Sequence, residues 1–388
     1  MSNTYDWIVV GSGITGAALA YELVKQGLSV LLLEKNSTPN NATCYSYGGL
    51  AYWSGTSPLT RQLCQEGIEY HRNLTTQLEA DTEFRELDLL LTINAEVEPQ
   101  IVADSYSRFA IVPRLLSASQ ACELEPLLNR ETISGVLQLP HGHINPGKTT
   151  QAYLQAYQRR GGKLQIAQVL NLLEVGNMIA GVKTTQGNIF AANTVICAGG
   201  LSRALLQEAG INVRLYFTHA EVIKTPPVAL KLRTLVMPAQ LQRFALEAKA
   251  SVPEVDSLWD VPGNEPVPPI LDPGAIQFLD GSLCLGQLSR VLTDPTATID
   301  RKASEQKIRD AVGKILPTVA NLPGTCHQCL VAFSNNSLPV VGKINGQLGL
   351  YLFSGFSNTL LFAPPLAQHF AQWAVTGKDE MISTLSVG

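Results

Sequence analysis

The stretch Trp7-Ile-Val-Val-Gly-Ser-Gly-Ile-Thr-Gly-Ala-Ala-Leu-Ala20 decides the fold. Four apolar residues precede the glycines, and apolar residues at helical spacing follow them as far as Gly27, where a helix would end. Residues 29–33 then form a second run typical of a buried strand. Residues 6–34 are therefore predicted to form a β-α-β unit with a right-handed crossover over a parallel sheet.

The glycines of this turn match the phosphate-binding pattern G-x-G-x-x-G. Gly11 allows the tight turn, Gly13 lets the backbone approach a pyrophosphate, and Gly16 lets helix and strand pack closely. The helix N-terminus offers free N–H groups and partial positive charge to that anion. Glu34, after the second strand, can accept hydrogen bonds from a ribose, although an ordinary surface acid would also fit there. The unit predicts a dinucleotide site without choosing between NAD and FAD.

Length and composition favour two domains, or one large domain with insertions. The chain has 388 residues, of which 45% are hydrophobic and 15% charged, so a large interior can be buried. The formal net charge of −4 provides no positive field for a phosphate backbone. Nucleic acid is therefore not expected as a partner.

The seven cysteines suggest a reducing compartment and hence a cytoplasmic protein. Their number is odd and their spacing scattered, which does not fit a disulfide framework. Cys326 and Cys329 form a C-x-x-C pair, either by coincidence or as half of a zinc site whose other ligands are missing, so no metal is predicted. The apolar stretch 348–375 is interrupted by Pro364 and Pro365, so no membrane span is expected.

The rest of the chain alternates between helix and strand patterns. Helical spacing predicts helices near residues 119–128 and 301–316 and a last helix from about Pro364 to Thr376. Residues 194–200 predict a strand that ends in glycines, where the chain returns to the first sheet. Residues 213–300 predict antiparallel strands joined by turns.

The order of these segments resembles the D-amino-acid oxidase and glycine oxidase superfamily of FAD-dependent oxidoreductases, which also contains monomeric sarcosine oxidase. The resemblance covers almost the whole chain. It is carried by residues 9–20, Gly48 and Gly49 after Ser46, and residues 124–126, 142–146, 193–200, 338–342 and 355–357.

The resemblance implies an α/β fold with a discontinuous Rossmann-like FAD-binding domain and an antiparallel-sheet substrate domain. We assign residues 1–80, 145–212 and 325–388 to the FAD-binding domain. Residues 81–144 and 213–324 are assigned to the substrate domain.

The same resemblance implies which residues hold FAD. In the family, the first glycine-rich segment binds the ADP half, and a Gly-Gly loop passes close to the flavin. The residues implied in this chain are Gly11, Ser12, Gly13, Ile14, Thr15, Gly16, Glu34, Lys35, Ser46, Gly48, Gly49, Leu50, Val169, Ala198, Gly199 and Gly200.

Residues 355–360 are similar to the family's loop beside the flavin pyrimidine. The loop comprises Gly355, Phe356, Ser357, Asn358, Thr359 and Leu360. Backbone N–H groups there, aided by a helix dipole, can stabilise the negative charge of a reduced flavin. The family usually has glycines where Asn358 and Leu360 stand in this chain.

Cys329 occupies the position at which sarcosine-oxidase relatives bind flavin through a thioether. A covalent bond to FAD is one interpretation, and a buried apolar thiol is the other.

The substrate residues are less well defined than the cofactor residues. The arginine with which glycine-oxidase relatives bind a carboxylate is missing from residues 331–339. Arg61 is a counterpart of a sarcosine-oxidase arginine or a surface helix residue, and Arg290 points into the pocket or is an exposed strand-end cation. His219 and Tyr216 could line the cavity, although a lone histidine is more often structural.

The expected function is FAD-dependent oxidation of an amino acid or small amine, with hydride transfer to flavin N5 and formation of an imine. One alternative is FAD-dependent oxidation of a 2-hydroxy acid or another C–OH group, and another is a flavin-binding protein without turnover. The run 283–286 is apolar where relatives carry a lysine that promotes reaction with oxygen. The electron acceptor is therefore either oxygen or another carrier.

Overall fold

Two β-sheets organise the chain in the computed structural model, which describes residues 5–240 and 242–385. The ends of the assigned FAD-binding segments, residues 1–4 and 386–388, lie outside the described residues. The strands are β1 Tyr5–Val10, β2 Val30–Glu34, β3 Gly49–Leu50, β4 Arg85–Asn94, β5 Arg114–Ser117, β6 Ile133–His143, β7 Lys163–Ile166, β8 Val169–Val175, β9 Met178–Thr184, β10 Gly187–Ile196, β11 Leu215–Lys224, β12 Leu235–Pro238, β13 Ile270–Leu271, β14 Ala275–Gln277, β15 Leu283–Arg290, β16 Thr325–Ser334, β17 Val340–Lys343 and β18 Leu350–Ser354.

Helices and short helical turns cover and connect the sheets. The helices are α1 Ile14–Lys25, α2 Ala42–Tyr45, α3 Pro58–Leu78, α4 Pro99–Ser105, α5 Ala118–Leu124, α6 Pro146–Arg159, α7 Ser202–Glu208, α8 Gln242–Ala250, α9 Pro253–Asp256, α10 Arg301–Ile315, α11 Pro317–Ala320, α12 Thr359–Thr376 and α13 Glu380–Leu385. Short 3-10 turns lie at Arg130–Thr132, Gly199–Leu201 and Ser257–Asp260.

The first sheet contains the predicted β-α-β unit. Its strand order is β17-β18-β10-β1-β2-β7, and Trp7 of β1 lies opposite Val30 of β2 and Asn193 of β10. Strands β18, β10, β1, β2 and β7 run parallel, and β17 is an antiparallel edge strand. Helix α1 packs against α6 and α12, which explains why it is apolar on nearly every side. The predicted unit and the return of the chain at β10 are confirmed.

Within residues 5–240 and 242–385, the second sheet is antiparallel except for one parallel pair, β12 with β4. Its order is β16-β11-β15-β14-β12-β4-β6-β3, with β13 beside β15 and β5 beside β6. Strands β3 and β16 belong to this sheet, although the assigned FAD-binding segments contain them. The sheets thus do not follow the assigned segments at these two strands, and the assigned domain boundaries stay a prediction. The predicted run of strands over 213–300 is also interrupted by α8, whose Leu246 and Ala250 are buried one helical turn apart.

Helix α12 begins at Thr359, five residues before the predicted start at Pro364. Proline lacks the N–H that would bond to the carbonyl of Leu360. The side chain of His71 provides the missing donor, because the Nε2 atom of His71 lies 2.7 Å from the carbonyl oxygen of Leu360. Burial lowers the pKa of His71 to about 4, so the ring is neutral and donates from Nε2. A tertiary contact thus allows a helix to begin ahead of its prolines.

Helix α12 is also fixed by His369, and this contact predicts a pH dependence of stability. The Nε2 atom of His369 lies 3.1 Å from Glu66 Oε2, and its Nδ1 lies 2.8 Å from Asp379 Oδ2. The bond to Glu66, opposed in part by burial and assisted by Asp379, raises the pKa of His369 to about 9. A raised pKa in the folded state gives stability that is complete below the unfolded pKa near 6.5 and is lost as pH rises through 9.

We therefore expect the free energy of unfolding to fall more between pH 7 and pH 10 in the wild type than in His369→Gln. Urea unfolding at both pH values measures this difference. Subtracting the variant removes the contribution of tyrosine, cysteine and lysine titration. Equal decreases in the two proteins would contradict the assignment of a charged His369.

Candidate active site

A cavity of about 930 Å³ lies along the carboxyl ends of the parallel strands. Its wall includes Gly11 after β1, Glu34 at the end of β2, Gly199 after β10 and Gly355 after β18. Ligands of open α/β sheets bind at this edge. The volume is at the upper end of the range for ligand cavities, roughly 300–1,000 Å³. The cavity is therefore large enough for an extended cofactor.

The three glycines of the first turn have different physical tasks. Gly11 has a φ of +103°, and a Cβ there would lie 2.7 Å from the carbonyl oxygen of Cys197. A Cβ on Gly16 would lie 1.8 Å from the carbonyl oxygen of Gly11. At Gly13 the backbone is ordinary, with φ −61° and ψ −179°, and among the described residues a Cβ would meet Thr43 Oγ1 at 3.4 Å. Gly11 and Gly16 are required by the fold, whereas Gly13 keeps the cavity open.

The N-terminus of α1 and Glu34 provide groups for the two halves of a nucleotide. Gly13 is the N-cap residue of α1 and has no side chain with which to accept the free N–H groups of the first turn. The N–H of Ile14 donates to Thr43 Oγ1 at 3.1 Å. Glu34 Oε2 accepts both the N–H and the hydroxyl of Ser12 at 2.9 Å. The helix end suits a phosphate, and the immobilised carboxylate at the cavity wall suits a ribose.

One side of the second sheet, here called the inner face, carries Thr218, Ala220, Cys284, Ile276 and His141. Ala220 lies opposite Cys329, which lines the cavity, and Thr218 lies two residues before Ala220 on the same side. The inner face therefore borders the cavity along β16, where Cys329 and Val331 line the wall and pair with Ala220 and Thr218.

The inner face carries buried polar atoms that lack a partner in the described part of the chain. They include Thr218 Oγ1 and His141 Nε2. His141 Nδ1 accepts the indole N–H of Trp53 at 3.2 Å, so its proton is on Nε2. An unsatisfied buried polar group costs about 1–3 kcal/mol. A polar ligand against this face would satisfy such groups.

Comparison with known proteins identifies the cofactor. A family model described as FAD dependent oxidoreductase, DAO, matches residues 6–373. This chain belongs to that family. FAD is therefore its cofactor, and the enzyme is an FAD-dependent oxidoreductase.

Individual relatives are distant in sequence. The chain is 25% identical over 383 residues to a 4-methylaminobutanoate oxidase of Paenarthrobacter nicotinovorans, covering 95% of this chain and 43% of that protein. It is 28% identical over 225 residues to an L-2-hydroxyglutarate dehydrogenase of Escherichia coli, covering 53% of this chain and 50% of that enzyme. The glycine oxidase structure from Geobacillus kaustophilus superposes with a TM-score of 0.79 at 19% identity, covering 99% and 98% of the two chains.

The chain thus spans half or less of the length of these two curated relatives. No helix in residues 5–240 and 242–385 has the length and the apolar character that crossing a membrane requires.

The cavity of the DAO-family protein has features that suit FAD, because its wall includes the N-terminal end of α1 at Gly13, the carboxylate of Glu34 and Cys329 on β16. The predicted cofactor residues on its wall are Gly11, Gly13, Ile14, Thr15, Glu34, Lys35, Val169, Ala198, Gly199, Gly200, Cys329, Gly355, Phe356 and Thr359. The predicted residues that do not line it are Ser12, Gly16, Ser46, Gly48, Gly49, Leu50, Ser357, Asn358 and Leu360. Direct contact of individual residues with FAD stays a prediction.

Gly48 and Gly49 have a second reason to be glycine. Gly48 has a φ of +78°, and its Cβ would lie 2.2 Å from the carbonyl oxygen of Ile144. A Cβ on Gly49 would lie 2.7 Å from His141 Nε2. The pair therefore allows β3 to lie close against β6.

Sequence reasoning missed part of the cavity wall in the DAO-family chain. The loop 295–299 lines the cavity together with Thr43, Arg301 and Gln328. No local motif marks that loop, because it reaches the cavity only through the pairing of β11 with β16 and β15. Sequence reasoning also did not note Lys224, which does not line the cavity but lies opposite Cys284 on the neighbouring strand, so the apolar run 283–286 has a cation beside it.

The four predicted catalytic residues do not line the described cavity, and each makes contacts within the chain. Arg61 donates from Nη2 to the carbonyl of Arg108 at 3.1 Å. Arg290 Nε lies 2.9 Å from Glu221 Oε1, and Tyr216 donates its hydroxyl to Asp256 Oδ1 at 2.8 Å. His219 is buried, with Nε2 3.0 Å from the carbonyl of Asp294 and Nδ1 2.7 Å from Gln328 Nε2. The structure places His219 opposite Arg290 on paired strands but does not bring all four residues together, and their catalytic roles stay predictions.

Cys329 lies on the cavity wall, and its thiol contacts the carbonyl of Ala220 at 3.7 Å. Cys326 lies three residues earlier on the same strand, and it belongs to the buried apolar cluster that contains Ile308 of α10. Side chains three apart on a strand point to opposite sides, so the two thiols cannot share a zinc ion.

We expect FAD to be bound without a covalent bond to Cys329. Burial raises the pKa of this thiol to about 12, whereas the thiolate is the nucleophilic form. Acid precipitation of the holoenzyme should therefore leave all flavin fluorescence in the supernatant. Fluorescence that stays on the polypeptide, and is released from it in Cys329→Ser, would show a thioether instead.

Proposed function

We propose that this FAD-dependent oxidoreductase oxidises an amino acid or a small amine at the carbon next to its nitrogen, so that an imine forms. The observation that carries this proposal is that the cavity borders the inner face where Cys329 and Val331 of β16 line its wall. A substrate on that face would meet the cofactor. Similarity over 95% of the chain to a 4-methylaminobutanoate oxidase, and a fold shared with glycine oxidase, support an amine substrate.

When bound, FAD supplies the chemistry by accepting a hydride. The chain binds and orients the cofactor. We propose that the end of α1 at Gly13 holds the pyrophosphate, that Glu34 holds the ribose, and that residues 355–360 lie beside the pyrimidine. The N-terminal end of α12, which follows that loop, would stabilise negative charge developing nearby.

A second candidate is oxidation of a C–OH group. Its specific support is the 28% identity to an L-2-hydroxyglutarate dehydrogenase. Mixing the oxidised holoenzyme anaerobically with amino acids, secondary amines and 2-hydroxy acids separates the two functions, because only a true substrate bleaches the flavin. We expect an amine or amino acid to do so. Bleaching by hydroxy acids alone would favour the second candidate, and bleaching by none would favour a flavin-binding protein without turnover.

We propose that electrons then pass to oxygen or to another carrier, and that the protein works in the cytoplasm. The seven cysteines are unpaired, which supports a reducing compartment. The rate at which air reoxidises the bleached enzyme, compared with the rate with an artificial electron carrier, distinguishes an oxidase from a dehydrogenase.

A further inference from the structure

Asp272 lies on the inner face, in the connection between β13 and β14. Its N–H and carbonyl pair with Gln287 at 2.8 and 2.7 Å, which extends the ladder between β13 and β15. The preceding Leu271 packs against the cluster on the other side of the sheet, and Ile276 belongs to the cluster on the inner face. Because side chains alternate along extended chain, Asp272 faces inward with Ile276.

The Asp272 carboxyl is buried without an ion-pair partner among the described residues. The residue is 7% exposed, and its Oδ1 has no hydrogen-bond partner among the described residues. Burial raises the pKa of Asp272 to about 6, and the charge of Arg243 limits the rise. A buried carboxylate that lacks a partner is unfavourable unless something pairs with it.

The charged and titratable groups nearest Asp272 are engaged elsewhere. Arg243 donates from Nη2 to the carbonyl of Ser357 at 2.8 Å, and its Nε lies 3.4 Å from Glu247. Tyr47 donates its hydroxyl to the carbonyl of Gly274 at 3.4 Å. The thiol of Cys284 also lies near Tyr47. Among the described residues, none of these groups forms a hydrogen bond with the Asp272 carboxylate.

We propose that Asp272 binds the ammonium group of the substrate and accepts a proton from it. This inference rests on the proposed function. An N–H bond of the ammonium group breaks and an O–H bond forms on Asp272, so the nitrogen regains its lone pair. Loss of hydride from the adjacent carbon then becomes favourable, because the lone pair forms the C=N bond of an iminium ion. The hydride carries both electrons to FAD, and Asp272 returns its proton to solvent.

The ammonium site can be tested with two probes of the same shape. Glycine betaine carries a fixed positive charge, and 3,3-dimethylbutanoate replaces its nitrogen by carbon. Neither has a nitrogen that can gain a lone pair by losing a proton, so neither can be oxidised to an iminium ion. Dissociation constants for both are measured on the oxidised holoenzyme from the change in flavin absorption. We expect the wild type to bind betaine at least about tenfold more tightly than 3,3-dimethylbutanoate, which lacks the positive charge.

In Asp272→Asn that ratio should fall to about one, while affinity for 3,3-dimethylbutanoate and flavin content stay unchanged. Asp310→Asn, which removes an exposed carboxylate of α10, is the matched control and should keep the wild-type ratio. In the wild type, betaine affinity should fall as pH drops through about 6, because Asp272 becomes protonated. In Asp272→Asn this decrease should be absent.

Failure of the wild type to bind betaine, or a ratio unaffected by Asp272→Asn, would overturn the inference. Neither measurement requires turnover. A negative result in the anaerobic screen therefore rejects the proposed function, whereas a negative result in the betaine measurement rejects the role of Asp272. The failure of one proposal can thus be told apart from the failure of the other.

Discussion

Gly13→Trp should give a folded protein that is purified without FAD. The backbone at Gly13 suits any residue, and a Cβ there meets Thr43 Oγ1 only at 3.4 Å, so the fold tolerates a side chain. The indole would instead fill the cavity at the N-terminus of α1, where the pyrophosphate is expected. We expect FAD affinity to fall at least roughly a hundredfold, or about 2.7 kcal/mol. Flavin content, circular dichroism and urea unfolding measure the two effects separately.

The control for this variant is Gly147→Trp. Gly147 is an exposed glycine in the first turn of α6, outside the cavity wall, and its Cβ would have ordinary contacts. It should retain full flavin content and an unchanged unfolding midpoint. A Gly13→Trp protein as yellow as this control would refute the phosphate site.

Gly16→Val should destabilise the whole fold rather than only weaken cofactor binding. A Cβ at Gly16 would lie 1.8 Å from the carbonyl oxygen of Gly11, which is backbone and cannot rotate away. Helix α1 would have to move off β1, and its buried contacts with α6 and α12 would be disturbed. We expect a loss of at least about 4 kcal/mol in the free energy of unfolding, at the upper end for a single substitution.

Urea unfolding of Gly16→Val and Gly13→Trp, three residues apart, distinguishes the two roles. Gly16→Ala is the smaller step and should also be destabilised, because its Cβ meets the same oxygen. A Gly16→Val protein with a wild-type midpoint would show that α1 and β1 are not held as closely as the structure has them.

Much of the first sheet could be predicted from local sequence. The apolar run of β1, the glycine turn and the helical spacing of α1 lie within 20 residues, and each is encoded by contacts between near neighbours. Of the predicted glycines, five line one cavity, namely Gly11, Gly13, Gly199, Gly200 and Gly355, whereas Gly16, Gly48 and Gly49 do not. The start of α12 could not be predicted in this way, because Pro364 signals a helix start and only His71, far away in the chain, permits an earlier one.

The substrate side was harder to predict, because its residues come together through long-range pairing. β4 pairs with β12, and β11 with β16, across more than a hundred residues each. Arg290 was a reasonable candidate until Glu221, two residues after His219 on β11, was found beside it. No local sequence feature singles out Asp272. It stands out only in the structure, where its buried carboxyl has an oxygen without a hydrogen-bond partner among the described residues.

The sequence by itself therefore determined the dinucleotide-binding unit, the α/β class and the family, because strand and helix periods and glycine conformations act over a few residues. Only the tertiary structure decided which side chains face the cofactor and which are already paired. Burial and hydrogen bonding depend on strands that are distant in the chain, and these determine which charged groups remain free to bind a substrate.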